Sequence, residues 1–189
     1  DRIVAVKILR PDRTDNRELL KRFDREIRAI ASLDHPNMVR ALDAGEINEA
    51  HFLVMEYVAG IDLSALVSRH GQLPIAAACA MICQAAEGLA VAHQRGIIHR
   101  DIKPSNLMLT AESSDRIGGR TVKVLDLGLA LLGDLHRPTD ATTFNGQVMG
   151  TLEYMSSEQC ADSHAVDQRT DVYALGATLY TMLCGHSPF

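Results

Sequence analysis

His99-Arg100-Asp101-Ile102-Lys103-Pro104-Ser105-Asn106 is a dense polar cluster that follows the apolar pair Ile97-Ile98. Pro104 restricts the backbone of Lys103, so the stretch reads as a loop rather than a helix. Asp101 and Asn106 offer oxygen ligands or a base, and Lys103 sets a point positive charge beside them. Downstream, Val122-Lys123-Val124-Leu125-Asp126-Leu127-Gly128 reads as a strand that ends in a carboxylate followed by a flexible glycine. With Asn106 at the start of a partner strand, Asn106 and Asp126 could place two oxygen ligands on one cation. Mg²⁺ suits such a pair, because it takes few protein ligands and keeps its other positions for water and phosphate. Each piece alone also reads as an ordinary polar loop or turn. The set, in this order, favours a site.

Two charges upstream fall where apolar residues are expected. Arg2 to Leu9 alternates as a strand does, with Val4, Val6 and Ile8 on one face and Ile3, Ala5, Lys7 and Leu9 on the other. Lys7 therefore sits on an otherwise apolar face, either snorkelling at a strand edge or meeting a partner. From Asn16 to Leu33 the period becomes helical, through Leu19, Leu20, Phe23, Ile27 and Ile30. Asp15 and Glu18 form a capping-box pattern, and Asp34-His35-Pro36 ends the helix. Glu26 shares the face of Phe23 and Ile30. Singly it is a solvated flank; with Lys7 it suggests an ion pair linking strand to helix.

The rest of the chain supplies a frame. Strands are expected over Met38 to Ala44 and His51 to Val58, then helices over Leu63 to His70 and from Pro74 to Arg95, stopped by Gly71 and Gly96. Short strands are expected over Asn106 to Thr110 and Thr121 to Leu125, a long loop over Asp126 to Glu158, and a last helix over Thr170 to Cys184. The chain has 189 residues, 47% hydrophobic and 23% charged, with a net charge of −5. This balance excludes a disordered or collagen-like chain, and the negative charge gives no general attraction to nucleic acid or anionic membrane. The apolar run from Leu73 to Cys83 is broken by Gln84 and Glu87, short of a membrane span. Cys79, Cys83, Cys160 and Cys184 contain no Cys-x-x-Cys pair, and no secretory signal opens the chain, so a reducing, cytoplasmic setting is expected. Asp1 stands inside an apolar run and Phe189 just after a proline, which reads as two cut ends.

Taken together, these motifs resemble the eukaryotic-type (Hanks-type) Ser/Thr protein kinase catalytic domain. Val4-Ala5-Val6-Lys7 resembles the strand of the ATP-anchoring lysine, and Glu26 its helix partner. His99 to Asn106 resembles the catalytic loop, and Asp126-Leu127-Gly128 the metal-binding Asp-Phe-Gly. Gly150 to Glu158 is similar to the end of the activation segment, and Asp171-Val172-Tyr173-Ala174-Leu175-Gly176 to the buried helix under the catalytic loop. Glu153-Tyr154-Met155 and Glu158-Gln159 are similar to the bacterial branch. The resemblance implies an incomplete α+β, two-lobed fold, in which a partial small lobe over 1–58 ends in the hinge. A partial, mainly helical large lobe follows over 59–189, with the catalytic loop at 99–106 and the activation segment at 126–158.

The resemblance also implies roles. Lys7, oriented by Glu26, holds the α- and β-phosphates of ATP. Asp101 aligns the attacking hydroxyl and accepts its proton, Lys103 offsets charge on the γ-phosphoryl group, and Asn106 and Asp126 bind magnesium. Ala5 and Met108 sandwich the adenine, Met55 is the gatekeeper, and Glu56-Tyr57-Val58 is the hinge. Lys103 two residues after Asp101 is the Ser/Thr form of the loop, so the partner is a protein with a Ser or Thr acceptor. Thr151 is placed to pack beside Asp101 and Lys103. Arg100 implies control by phosphorylation, as an exposed arginine that pairs with a phosphothreonine at Thr139, Thr142 or Thr143. Leu127 replaces the usual phenylalanine and Ser157 the usual proline, while Glu158 lacks its arginine partner within the chain. The glycine-rich loop and the later C-terminal helices are missing, so the chain alone is expected to be inactive and prone to aggregation. The alternative is a pseudokinase-like interaction or scaffold module. Lys7, Glu26, Asp101, Asn106 and Asp126 together argue for the enzyme. A metal-dependent phosphohydrolase leaves the lysine–glutamate pair unexplained.

Overall fold

The computed structural model describes residues 2–8, 31, 33–48, 50–111, 120–127, 152–161 and 166–189. Most of the expected helix over Asn16 to Leu33, including Glu26, lies outside them. So do Gly128, Thr139, Thr142, Thr143 and Thr151.

Three antiparallel strands form the first sheet, β1 (Val4–Ile8), β2 (Ala41–Ile47) and β3 (Ala50–Glu56), in the order β1-β3-β2. The β2–β3 connection turns at Asn48, whose φ of 50° is one that asparagine tolerates better than most residues. Alternation in β1 is real, but Val4, Val6 and Ile8 are the exposed face while Ala5 and Lys7 are half-buried. The second strand begins later than the sequence suggests. Met38 makes only an isolated parallel bridge, to Val124, formed by Val39 N–H donating to Val124 O and Val124 N–H to Asn37 O. That bridge joins the first sheet to the second.

The second sheet holds β4 (Gly60–Asp62), β5 (Leu107–Thr110) and β6 (Val122–Val124), again antiparallel and in that order. Strand β4 is too short to show a period of its own and was not expected. Asn106 belongs not to β5 but to a 3-10 turn over Pro104–Asn106, closed by Asn106 N–H donating to Lys103 O.

Helix α1 (Leu63–His70) starts where the Asp62 carboxylate accepts from Ala65 N–H at 2.8 Å, and stops at Gly71, φ 68°. Helix α2 (Ile75–Gln94) follows Pro74, which caps it from outside rather than occupying the first turn. By length and composition α2 could cross a membrane. Yet Ala78, Ala85, Leu89 and Ala92 are buried in the core, and α2 packs against β6 and α4, as a core helix does. Helices α3 (Ser157–Ala161) and α4 (Arg169–Cys184) complete the described residues; α4 ends at Gly185, φ 82°. The core gathers Leu63, Leu89, Ile102, Leu107, Val122, Val124 and Met182, each almost fully buried. At about 1.5–3 kcal/mol for each large side chain, this core fixes where the loop between α2 and β5 emerges.

Candidate active site

The loop His99–Lys103 is anchored from beneath. Asp171, fully buried in the first turn of α4, accepts from His99 N–H through Oδ2 at 2.9 Å and from Arg100 N–H through Oδ1 at 2.8 Å. Arg100 is held at φ 67°, a left-handed conformation that costs an ordinary residue about 1–2 kcal/mol. Gln159, from α3, donates to Arg100 O at 2.8 Å. Arg100 itself is half-buried, with Nε enclosed and without a hydrogen-bond partner, which corrects the expectation of an exposed arginine. Its backbone is drawn onto Asp171 and Gln159, and its side chain follows.

Above that anchor the polar side chains converge on Asp101. Lys103 Nζ stands 3.0 Å from Oδ1 and 2.9 Å from Oδ2 of Asp101. Asn106 donates through Nδ2 to Asp101 O at 2.7 Å and to Oδ2 at 3.0 Å. Asn106 thus spends its amide nitrogen on Asp101, and its amide oxygen is the atom it can offer a cation. His99 ties the loop to the strand before Asp126. Its Nε2–H donates to Leu125 O at 2.7 Å, and its Nδ1 faces Asp101 N–H at 3.3 Å. Leu125 N–H in turn donates to Asn106 O at 2.9 Å. Held on both sides, Leu125 delivers Asp126 next to the loop, at φ 56°. Leu127, the replacement for phenylalanine, is buried in the core.

Lys7 meets Asp126: Nζ to Oδ1 is 3.1 Å, with side chains 38% and 40% exposed. The strand lysine thus reaches the carboxylate at the end of β6, joining the first sheet to the site. Among the described residues no three His, Cys, Asp or Glu side chains cluster as a metal site. An Asn–Asp pair is a sparser donor set, of the kind Mg²⁺ accepts. Ala5 and Met55 stand opposite each other on β1 and β3, both half-buried. Met108 lies on the other sheet, paired with Asp62 and Lys123. Val58 follows β3, half-buried. Glu56 was expected in the hinge. Its N–H donates to Arg40 O at 3.0 Å, while its side chain takes an ion pair from Lys123 at 2.6 Å.

Several working residues were missed by sequence reasoning. Lys123 also donates to Met38 O, and Asn37 Nδ2 donates to Val122 O at 2.8 Å and to Gln84 Oε1 at 3.2 Å. A lysine between two buried valines in a three-residue strand was the available signal for the first. Asn37 and Gln84 meet only through tertiary structure. The loop expected through Glu158 ends earlier, at α3, in whose first turn Glu158 accepts from the Ser157 and Thr170 hydroxyls. A hydrogen bond from its own backbone N–H is the largest cause holding its carboxyl below the usual value.

A half-buried carboxylate flanked by lysine and asparagine thus lies near a second carboxylate paired to a strand lysine. The chain belongs to the protein kinase domain family, whose model matches residues 1–189. Among similar proteins, a probable serine/threonine-protein kinase of Clostridium perfringens is 40% identical over all of this chain and 26% of its own length. The serine/threonine-protein kinase PrkC of Bacillus subtilis is 38% identical over all of this chain and 27% of its own length. This chain spans about a quarter of the length of those two relatives. The crystal structure of the Mycobacterium tuberculosis PknI kinase domain superposes with a TM-score of 0.73 at 29% identity, covering 98% of this chain and 65% of that one. The fold is therefore that of a protein kinase domain, α+β with antiparallel sheets, of which this chain covers part.

Proposed function

We propose that this chain carries the catalytic centre of a bacterial-type serine/threonine protein kinase, which moves the γ-phosphoryl group of ATP to a Ser or Thr hydroxyl of a protein. The observation that carries this reading is the convergence of Lys103 and Asn106 on Asp101 while Leu125, clasped by His99 and Asn106, presents Asp126 beside them. On this reading residues 1–58 form the small-lobe part, ending in the hinge, and residues 59–189 the large-lobe part, with the loop at 99–106 and the activation segment at 126–158.

Bound Mg-ATP supplies the phosphoryl group and the cations that offset its charge. Asp101 orients the acceptor hydroxyl and takes its proton. Lys103, already beside Asp101, holds positive charge where the moving group passes. Asn106, through its amide oxygen, and Asp126 hold the metal. Lys7, now on Asp126, turns to the phosphates with Glu26 as its second partner. Ala5, Met55 and Met108 give the adenine an apolar seat, and Glu56 and Val58 offer it backbone groups. Arg100 receives a phosphate on Thr139, Thr142 or Thr143, and Thr151 packs beside Asp101 and Lys103. On this reading the domain acts in the cytoplasm without a nucleic-acid partner, and α2, the one helix among the described residues long and apolar enough to cross a membrane, serves as a core helix.

The test is phosphotransfer from Mg-ATP by the full-length protein, with analysis of the phosphorylated residue, beside Asp126→Asn. Phosphoserine or phosphothreonine from the wild type, lost in the variant, is expected. No transfer, or transfer unaffected by Asp126→Asn, turns the reading toward a non-catalytic scaffold.

A further inference from the structure

We propose that Cys79 and Cys83, one turn apart on the outer face of α2, form a two-thiolate site for a soft monovalent cation, Cu(I). Nothing in the phosphoryl-transfer reading uses either residue. Cysteine is among the residue types most often buried, and an exposed thiol offers chemistry rather than packing. Both of these thiols are free and exposed, while Ala78, Ala85, Leu89 and Ala92 bury the face that α2 turns to the core. Ala76 and Ala80, exposed beside them, carry only methyl groups and leave the sulfurs open to solvent.

The spacing decides what the pair can do. Residues four apart on a helix have Cβ atoms about 5–6 Å apart. A disulfide needs about 3.5–4.5 Å between them, so these two thiols do not close on each other while the helix stands. A cation between them bridges the gap. Two metal–sulfur bonds of about 2.3 Å, the zinc value, hold sulfurs as much as roughly 4.6 Å apart. Thiolates select Cu(I), zinc and iron–sulfur clusters. Zinc takes four ligands in a closed site, and the clusters take four cysteines. Among the described residues no third His, Cys, Asp or Glu side chain joins this pair, and Cys160 and Cys184 stand on other helices. Cu(I) is the member of that set satisfied by two thiolates. The exposed Glu87 carboxylate, one turn beyond Cys83, adds negative charge along the cation's approach. Binding involves no change of oxidation state: the ion enters as Cu(I), two Cu–S bonds form, and the thiol protons pass to solvent.

The experiment titrates the reduced full-length protein, without oxygen, against the Cu(I) complex of a coloured chelator. Beside it stand Cys79→Ser, Cys83→Ser, the double variant Cys79→Ser/Cys83→Ser, and Cys160→Ser/Cys184→Ser. The wild type is expected to withdraw one more Cu(I) per chain than Cys79→Ser/Cys83→Ser. Each single variant should hold that ion about a hundredfold or more weakly, because one arm of the chelate is lost. Cys160→Ser/Cys184→Ser should keep it. X-ray absorption at the copper edge of wild type carrying one equivalent should show two sulfur neighbours. Equal stoichiometry in the wild type and Cys79→Ser/Cys83→Ser, or a single variant as tight as the wild type, overturns the assignment. So does Zn²⁺ displacing the copper, or one ion shared between two chains in sedimentation. The readout is copper and not phosphate transfer, so either result leaves the kinase reading to its own test.

Discussion

Lys7 shows why a contact's energy and its importance are separate quantities. Its ion pair with Asp126 is well over a third exposed on both sides. Exposed pairs of this kind contribute about 0–1 kcal/mol to stability. Lys7→Met should therefore leave the melting temperature almost unchanged while lowering phosphotransfer by about a hundredfold or more, the scale of one lost electrostatic contact to a reacting phosphate. A calorimetric scan beside a transfer assay checks both halves, and a large loss of stability with activity retained would contradict the account. Tyr154 behaves in the opposite way. Burial is the largest cause raising its phenol above the ordinary value of 10.0, partly offset by the hydrogen bond to the Thr181 hydroxyl. A raised pKa means the folded state holds the proton more tightly. The associated stability is full below about pH 10 and is lost as pH rises through the folded-state value. Melting curves across that range should fall more steeply for the wild type than for Tyr154→Phe.

Among the elements, two glycines with different reasons for being glycine make a paired test. A Cβ on Gly60 would collide with Leu109 O and come within 2.9 Å of Leu109 C, all backbone that cannot yield without parting β4 from β5. At Gly71 the same Cβ meets nothing within 4 Å, and only its φ of 68° is unfavourable. Gly60→Ala should cost more than Gly71→Ala in denaturant titrations, about 2–3 kcal/mol against about 1 kcal/mol. Equal costs would contradict the β4–β5 geometry. Helices α1, α2 and α4 were legible because helix stops and period act locally: Gly71 and Gly96 mark ends that the structure keeps, whereas the five-residue α3 is too short to show a period. The strands were less so. Met38 and Val39 read as strand, but their backbone groups go to Val124, a partner that lies some 85 residues away in sequence and leaves no local trace. The site's charged members were legible as anomalies of type and order. Their supports, Asn37, Gln84, His93 and Gln159, were not, because each bonds to an element remote in sequence.

Across the whole molecule, the two sheets meet through a small polar knot. Lys123 on β6 pairs with Glu56 at the end of β3, each 19% exposed, and Glu56 Oε1 also accepts from Arg40 N–H. Lys123→Met leaves the carboxylate half-buried without its cation, which should destabilise the protein by about 1–3 kcal/mol. The double variant Lys123→Met/Glu56→Gln should lose less than the two single losses combined, since the residues share one interaction. Additive losses in thermal melts would show that the sheets are not coupled there. That knot, the Met38–Val124 bridge and the Lys7–Asp126 pair carry the first sheet onto the loop at Asp101. The most direct test of the account is Asp101→Asn in the full-length protein, assayed for phosphotransfer and for ATP binding by calorimetry. The account predicts transfer reduced by about a hundredfold or more with ATP affinity retained, since Asp101 meets the acceptor and not the nucleotide. Transfer at the wild-type rate would contradict it.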